Sequence, residues 1–468
     1  MVFILIICLQ MNLRILNIIT CLFITACIVT SCLDSDEVEY ELNADASITA
    51  FSISDIETKY KATIDGKDTT LVAKVIGTDY PFVIDQNLGL IYNLDSLPVG
   101  TDISKIVAKI TADGAIFIAA ETDSIWEEKD SLDFKNPIQF KVMSQLGTYG
   151  RTYTAKVNVH QQDPNAMSWG KLEGNFSTMV QKQKAVYYDQ QVLVFAEQED
   201  QVYVTSTHQE DGREWTELQA IDIPIKADYT SVIVWRDTLY MLANNELYQS
   251  SNGLNWTKTA TEQKLNSIIA CIDIEDEQKL FGITTDNIYT ESTDGIVWEN
   301  HAAISEDFPQ AIYHYASYSL NTNKNIHRTV IMGQNNLISD TVNVVWSKLS
   351  DEHEWTELTM DENPNYCPNL RNSSMIYYND QLYVFGGPGK SGSSAKAFDY
   401  FYTSKDNGIG WSKVTEKMVF PEEFNKLYSS SNGNYSFIVD DKQFIWIMWG
   451  STGEVWKGRI NKLGFVNQ

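Results

Sequence analysis

The sequence predicts an all-β protein in which a β-sandwich is followed by a six-bladed β-propeller. Three observations carry this expectation. From about Ser47 to His160, short apolar–polar alternations are separated by polar turns, with no helical period. After a break at Gln161, Gln162, Asp163, Pro164 and Asn165, tryptophans recur at Trp169, Trp215, Trp256, Trp298, Trp355 and Trp411. The repeats also share one internal order, three strands and a tight turn leading to a strand that begins at the tryptophan.

The N-terminal segment is an address rather than part of the fold. Residues 1–30 are almost wholly apolar with one charge, Arg14, and run into Val29, Thr30, Ser31 and Cys32. This is the layout of a signal peptide ending in a lipobox. Residues 1–31 are therefore expected to be removed and Cys32 to carry the lipid that attaches the protein to a membrane. A start at Met11 gives the usual proportions, and nothing downstream depends on it. An uncleaved spanning anchor needs roughly 20 apolar residues and has no use for a cysteine after Val-Thr-Ser. Residues 32–45 form an acidic tether, too polar to order itself by burial. Its start, Leu33-Asp34-Ser35-Asp36-Glu37, resembles lipoproteins of the Bacteroidetes. In those proteins acidic residues behind the lipidated cysteine direct export, so the resemblance implies an outer-membrane protein facing the cell exterior.

Composition removes several function classes. The formal charge of −27, from 62 acidic and 35 basic residues, lacks the basic footprint that nucleic acid or anionic lipid requires. Cys8, Cys21, Cys27 and Cys32 lie in or at the end of the signal region, leaving Cys271 and Cys367. Two thiols support neither a disulfide framework nor a thiolate metal cluster.

Residues 46–160 hold seven expected strands, at 48–53, 60–64, 69–76, 103–111, 115–119, 138–142 and 152–159. Asp65-Gly66 and Asp113-Gly114 read as turns, the second as a strong hairpin signal. Seven strands in about 115 residues suggest an antiparallel sandwich of immunoglobulin-like kind, without the Cys-Trp-Cys spacing of antibody domains. Residues 161–165 form the linker.

Residues 166–468 carry the repeat. Successive tryptophans are 46, 41, 42, 57 and 56 residues apart, close to the roughly 40–50 residues of a four-stranded blade. The clearest unit runs Ser231-Val-Ile-Val-Trp235, Thr238-Leu-Tyr-Met-Leu242, Glu246-Leu-Tyr-Gln249, then Ser250-Ser251-Asn252-Gly253 before Trp256. Tyr188-Asp189-Gln190, Trp235-Arg236-Asp237, Tyr378-Asn379-Asp380 and Val439-Asp440-Asp441 mark the hairpin between the first two strands. Strand 168–172 precedes the first unit, while the last unit has no closing tryptophan strand. It is assigned as the fourth strand of blade six, closing the ring non-covalently.

Ser404-Lys-Asp406-Asn-Gly408-Ile-Gly-Trp411 fits SxDxGxxW and resembles the Asp-box of bacterial neuraminidase repeats. Ser292-Thr-Asp294-Gly295-Ile-Val-Trp298 and the Ser250 turn are one residue shorter. The segments before Trp215 and Trp355 depart from the pattern. Gly386-Gly387 looks like a kelch double glycine. The resemblance implies a folding element, and the six tryptophans are read as structural.

Catalytic constellations are not evident. The propeller's arginines, Arg213, Arg236, Arg328, Arg371 and Arg459, are too few on one face for a sialidase triad. Its histidines, His208, His301, His314, His327 and His353, form no metal-binding spacing. No catalytic residue, metal or cofactor is assigned. What remains is a face of long loops, the connections between fourth and first and between second and third strands. They carry Tyr313, His314, Tyr315, Tyr366, Arg371, Tyr400, Phe401 and Tyr428, of which Tyr313, His314, Tyr366, Arg371, Tyr400 and Tyr428 are the candidate ligand-binding residues.

The whole layout resembles an uncharacterised family of Bacteroidetes surface lipoproteins with a domain of unknown function. The expected role is a non-catalytic cell-surface module, the sandwich as spacer and the propeller face binding a glycan or an outer-membrane protein. Two other classes stay open: a glycan-active hydrolase or lyase using carboxylates such as Asp361, Glu362, Asp399, Glu422 or Glu423, and a structural envelope-assembly protein.

Overall fold

A computed structural model describes residues 44–464 except 65–66, 178–179, 224, 276, 310, 335–342, 359–364, 367–369 and 391–393. Residues 1–43, which hold the expected signal segment, Cys32 and most of the expected acidic tether, lie outside the described residues, as do Asp361, Glu362 and Cys367. Among the described residues no helix is long and apolar enough to cross a membrane. The chain divides into two compact units that meet in sequence at Gln161 and Gln162.

The first unit is a pair of facing sheets with an added two-stranded ribbon. One sheet orders Ile48–Ile53, Ile106–Ala112 and Ser131–Leu132; the other orders Phe82–Asp85, Leu90–Asn93, Tyr149–Lys156, Ile138–Met143, Ala115–Ile118 and Ser124–Ile125. Phe51 of the first sheet meets Phe82 and Phe140 of the second, with ring centroids 4.8 and 6.4 Å away. Alternate residues Phe140 and Val142, Tyr153 and Ala155 turn inward from their strands, as period-two burial requires.

Two expectations for this unit are corrected. The larger sheet is mixed rather than antiparallel, because Tyr149–Lys156 runs parallel to Leu90–Asn93, with Ala155 beside Ile91. Asp113-Gly114 is not a hairpin, since the strands either side of it belong to different sheets. Gly114 is there for clearance: a Cβ would lie 2.0 Å from the Met143 carbonyl oxygen. The hairpin pair of this unit is Ile56–Ile64 with Lys67–Val75, antiparallel from Ile64 opposite Lys67, and its turn lies outside the described residues. Phe82–Asp85 and Leu90–Asn93 had no expected counterpart, being four residues each around a turn in which Asp85 accepts the Asn87 and Leu88 amides.

The second unit is a β-propeller of six four-stranded antiparallel sheets. Blade 1 comprises strands A to D at Gln183–Tyr188, Gln191–Gln198, Gln201–His208 and Gln219–Ala220. Blade 2 comprises Ala227–Trp235, Thr238–Ala243, Glu246–Ser250 and Thr257–Lys258. Blade 3 has Leu265–Ile274, Glu277–Thr284, Ile288–Ser292 and Glu299–Ala303. Blade 4 has Ala311–Ser319, His327–Gln334, Val344–Leu349 and Thr356–Glu357. Blade 5 has Ser374–Tyr378, Gln381–Phe385, Phe401–Ser404 and Ser412–Val414. Blade 6 takes Tyr435–Val439, Ile445–Trp449 and Glu454–Ile460 from the end of the chain and strand D, Met167–Asn175, from its start; Met167 pairs with Ile460 and Trp169 with Gly458.

The apolar cores lie between blades. Leu193 and Phe195 of blade 1 pack with Leu239, Met241 and Trp256 of blade 2, and each such fully buried side chain stabilises by about 1.5–3 kcal/mol. The C–D turns are the joints. Ser292 Oγ accepts the Gly295 amide at 2.8 Å, and Asp294 Oδ1 accepts the Ile296 and Val297 amides, both at 2.8 Å. Asn252 repeats this in blade 2, and Asp406 accepts the Gly410 amide in blade 5. The turn glycines have positive φ and touch the preceding blade: a Cβ on Gly253 would meet Leu193, and one on Gly212 would meet Trp446.

The six tryptophans are not equivalent. Trp256 and Trp411 are buried and donate their indole N–H to the Gly253 and Gly408 carbonyls. Trp298 and Trp355 are only partly buried, and the Trp298 indole nitrogen has no hydrogen-bond partner among the described residues. In blades 2 to 5 strand D starts one residue after the tryptophan, and in blade 1 four residues after Trp215. The last A–B connection is a five-residue loop, Asp440 to Phe444, with the positive φ at Gln443 rather than on an Asp-Asp pair.

Candidate functional site

Antiparallel order places A–B and C–D turns at one end of the blades and B–C and D–A connections at the other. At the second end the three segments around blades 5 and 6 enclose an open pocket of about 840 Å³. Arg371 and Asn372 come from the connection into blade 5. Pro388, Lys390 and Ala395 to Ala397 come from its B–C loop, and Asn425 to Gly433 from the connection into blade 6.

The last connection was expected as loop and instead folds into the helix α1, Glu423–Ser430. Its residues Phe424 and Leu427 are buried in the core, joined by Tyr428. Asn425, Tyr428, Ser429 and Asn432 recur at three- and four-residue spacing, which sets them on one side of the helix and its exit turn, toward the pocket. The eight-residue helix lacks a long apolar period, so tertiary packing rather than sequence pattern fixes it.

Tyr428 forms the floor. It is 8% exposed, its ring packs near Phe398 and Tyr435, and burial raises its hydroxyl pKa while the Arg371 charge opposes this. Gly387 makes room, since a Cβ there would fall 2.1 Å from the Tyr428 hydroxyl oxygen. The double glycine thus serves a close approach between two pocket loops. Asn372, with φ of +47°, donates from Nδ2 to the Gly433 carbonyl at 2.7 Å and ties the two D–A connections together. Asn425 Nδ2 donates to the Ala397 carbonyl at 3.0 Å, tying the helix to the B–C loop.

Arg371 and Lys396 are exposed at the pocket, and the half-buried Lys390 donates to Gln334 Oε1 at 2.7 Å. No lining residue is acidic.

Of the sequence candidates, Arg371 and Tyr428 line this pocket; the others lie elsewhere or beyond description. Tyr366 is 45% exposed between two undescribed segments. Tyr400 is half-buried with the Lys413 ammonium 4.9 Å from its ring centre. Tyr313 lies in strand A of blade 4, with its side chain outside the described residues. Phe401 is fully buried and stacks on Phe420 at 4.0 Å, so it is core.

His314 belongs to the central channel, around which the A strands of blades 6, 1, 2, 3, 4 and 5 contact one another in that order. Its ring lies 5.0 Å from that of Phe437, across from blade 4 to blade 6. Enclosure there, helped by the Lys184 charge, lowers its pKa to about 3. Lys184 of blade 1 donates to the Thr230 carbonyl at 2.6 Å, and enclosure lowers its pKa to about 8 against the pull of Asp228. Tyr315 shares a buried contact with Cys271, whose thiol burial pushes up to about 12.

The remaining arginines do not converge on the pocket. Arg213 sits in a C–D turn, Arg236 in an A–B hairpin bonded to the Thr293 carbonyl, Arg328 on the Ser347 hydroxyl, and Arg459 over the Phe444 ring. Asp399, Glu422 and Glu423 are exposed and do not line it either. No group of three or more His, Cys, Asp or Glu suited to a metal occurs among the described residues.

Sequence reasoning missed Lys390, Lys396, Asn372, Asn425 and Asn432. A local signal existed for the lysines: residues 386–398 hold two basic and no acidic residues, within a chain of charge −27.

A profile described as the DUF6242 beta propeller domain matches residues 163–468, and one described as the domain of unknown function (DUF6242) N-terminal domain matches residues 51–157. No curated protein matches the chain. Among solved structures, a DUF4623 family protein from Bacteroides eggerthii is 11% identical over 88% of this chain and 98% of its own, with a TM-score of 0.35. Virginiamycin B lyase from Staphylococcus aureus is 9% identical over 63% of this chain and 99% of its own, with a TM-score of 0.38. An auxiliary nutrient binding protein from Bacteroides ovatus is 6% identical over 76% of this chain and 94% of its own, with a TM-score of 0.40. Likenesses this distant carry no statement about ligand or chemistry.

Proposed function

The chain belongs to the DUF6242 family, and from that premise we propose that it is a binding module whose ligand, a glycan or a protein partner, is held by the loop pocket between blades 5 and 6. The observation that carries this is the convergence of three chain-distant segments on a concave polar site whose lining residues include no acid pair. Loops held by a rigid scaffold are where binding residues concentrate. We further propose that Cys32 is lipidated after removal of residues 1–31, that the acidic tether directs an outward-facing position on a Bacteroidetes outer membrane, and that the first unit, of immunoglobulin-like kind, acts as spacer. The Ser-x-Asp turns are then Asp-box-like folding elements and no part of the site.

The test is a binding screen of the full-length protein against host and plant polysaccharides, with product analysis of the same incubations. Binding that is weakened in Arg371→Ala, without released sugars, supports the module. Released sugars assign the protein to the hydrolase or lyase class instead. Binding left intact in Arg371→Ala removes the pocket from the proposal, and silence across the panel turns the search to outer-membrane protein partners. Labelling with a radioactive fatty acid, lost in Cys32→Ala, tests the anchor.

A further inference from the structure

We infer that the ligand of this pocket is an anionic saccharide, one bearing carboxylate or sulfate groups among its hydroxyls. The inference rests on the binding-module reading and specifies its ligand.

Charge is the first ground. The chain carries 27 more acidic than basic residues, so a surface site drawn at random is expected to be acidic. This pocket is lined by Arg371, Lys390 and Lys396 and by no Asp or Glu. Among the described residues none of these three cations is in an ion pair, although sixteen other close pairs form. Three cations gathered from two loops, with no counter-charge among the described lining residues, favour an incoming anion. A basic concavity in an acidic surface also focuses the field, so it draws anions selectively.

Hydrogen bonding supplies the second ground and separates a saccharide from a bare anion. Asn372 and Asn425 have Nδ2 engaged by the Gly433 and Ala397 carbonyls. The Asn372 Nδ2 also reaches the Tyr428 hydroxyl at 3.4 Å, while Asn425 keeps one of its two N–H groups, so the pair offers a ligand two accepting carbonyl oxygens beside one donor. A fully ionised dicarboxylate without hydroxyls brings no donors to these oxygens at neutral pH, and monohydrogen phosphate brings a single one. A sugar acid brings both, an anionic group for the cations and hydroxyl donors for the amides.

Packing supplies the third. The pocket's aromatic residue, Tyr428, is 8% exposed and presents little ring face. Recognition of a neutral sugar by stacking on an aromatic platform has no surface here, which leaves charge and hydrogen bonds to set affinity. The volume, about 840 Å³, lies within the roughly 300–1,000 Å³ usual for small-ligand sites, enough for a short oligosaccharide segment and not for an extended protein face.

The experiment is isothermal titration of the full-length protein with three probes of matched length: a galacturonate oligomer, a sulfated heparin-derived oligomer, and a neutral galactose oligomer. One or both acidic probes are expected to bind at least about tenfold more tightly than the neutral one, and to weaken as salt rises. Which acidic probe wins identifies the anionic group. The double variant Arg371→Gln, Lys396→Gln is expected to lose about tenfold for the acidic probe, with an unchanged melting temperature because both side chains are exposed. Equal affinity for neutral and acidic probes, sensitive to Arg371→Gln, overturns the anionic inference and leaves the binding module standing. Acidic-probe binding untouched by the double variant overturns both. Binding by none of the three overturns the saccharide inference, and a protein partner captured through the pocket then keeps the module reading.

Discussion

The two ends of the propeller blades obey different rules. At the C–D end, Ser250, Ser292 and Ser404 with Asn252, Asp294 and Asp406 rebuild one hydrogen-bonded turn in three blades, each capped by glycine. At the opposite end the short B–C turns of blades 1 and 2 give way around blades 5 and 6 to a helix, two longer loops and three cations with no ion pair among the described residues, all surrounding one pocket. Repetition marks what every blade needs, a joint to its neighbour; departure from repetition marks what the ring needs only once.

Removing the strand that closes the ring should be the severest test. Deleting residues 166–172 strips strand D from blade 6, together with Trp169, whose ring lies 5.0 Å from Phe424. A fall in melting temperature of at least ~10 °C is expected, and an unchanged melt would contradict the non-covalent closure.

Next come the tryptophans. Trp256→Ala and Trp411→Ala should each destabilise by about 3–5 kcal/mol in chemical denaturation, and Trp298→Ala by less, because Trp298 is partly exposed and its indole has no partner among the described residues. Equal losses at all three would erase the distinction between tight and loose joints.

The turns themselves should matter less. Asp294→Ala removes acceptors for two amides, at a cost of about 1 kcal/mol. Those amides, Val297 first, hold the Asp294 carboxyl below its ordinary value. Its contribution is therefore present above the ordinary carboxylate range and lost as pH falls through the folded value. Asp294→Asn should keep most of the stability, since Asn252 does the same work in blade 2 without a charge.

The channel gives a pH-dependent effect that is small at neutrality. His314 is held neutral with a pKa near 3, against an ordinary value of 6.5. The unfolded chain then binds the extra proton, so stability is complete above about pH 6.5 and declines as pH falls toward 3. The melting temperature of His314→Leu should fall less than that of the parent between pH 7 and pH 4. A parallel decline in both would remove His314 as the cause.

Smallest on folding should be the pocket. Arg371→Ala is expected within about 0.5 kcal/mol of the parent by denaturation, while ligand affinity falls. A large stability loss there would make the pocket another joint and dissolve the contrast.

How much of this was legible in the sequence follows the same division. The blade order could be read because Asn252, Asp294 and Asp406 act on amides two to four residues away, so their geometry is local. The first unit was read less well: Asp113-Gly114 has the same local look as a hairpin, yet Gly114 answers to Met143, far along the chain. Tyr400, Tyr428 and Phe401 were alike as loop aromatics, but only contacts with Lys413, Phe398 and Phe420 determine that Tyr428 is the pocket floor, that Phe401 is core and that Tyr400 stands apart from the pocket under a lysine.

By itself the sequence determined the all-β class, the propeller and its repeated joints, because strand alternation, turn residues and spaced tryptophans act over a few residues each. Only the tertiary structure decided that Arg371, Lys390 and Lys396 share a pocket with Asn425 and Tyr428, and that His314 faces Phe437 instead. Those neighbours come from segments that folding alone brings together, and no periodicity along the chain encodes which loop will meet which.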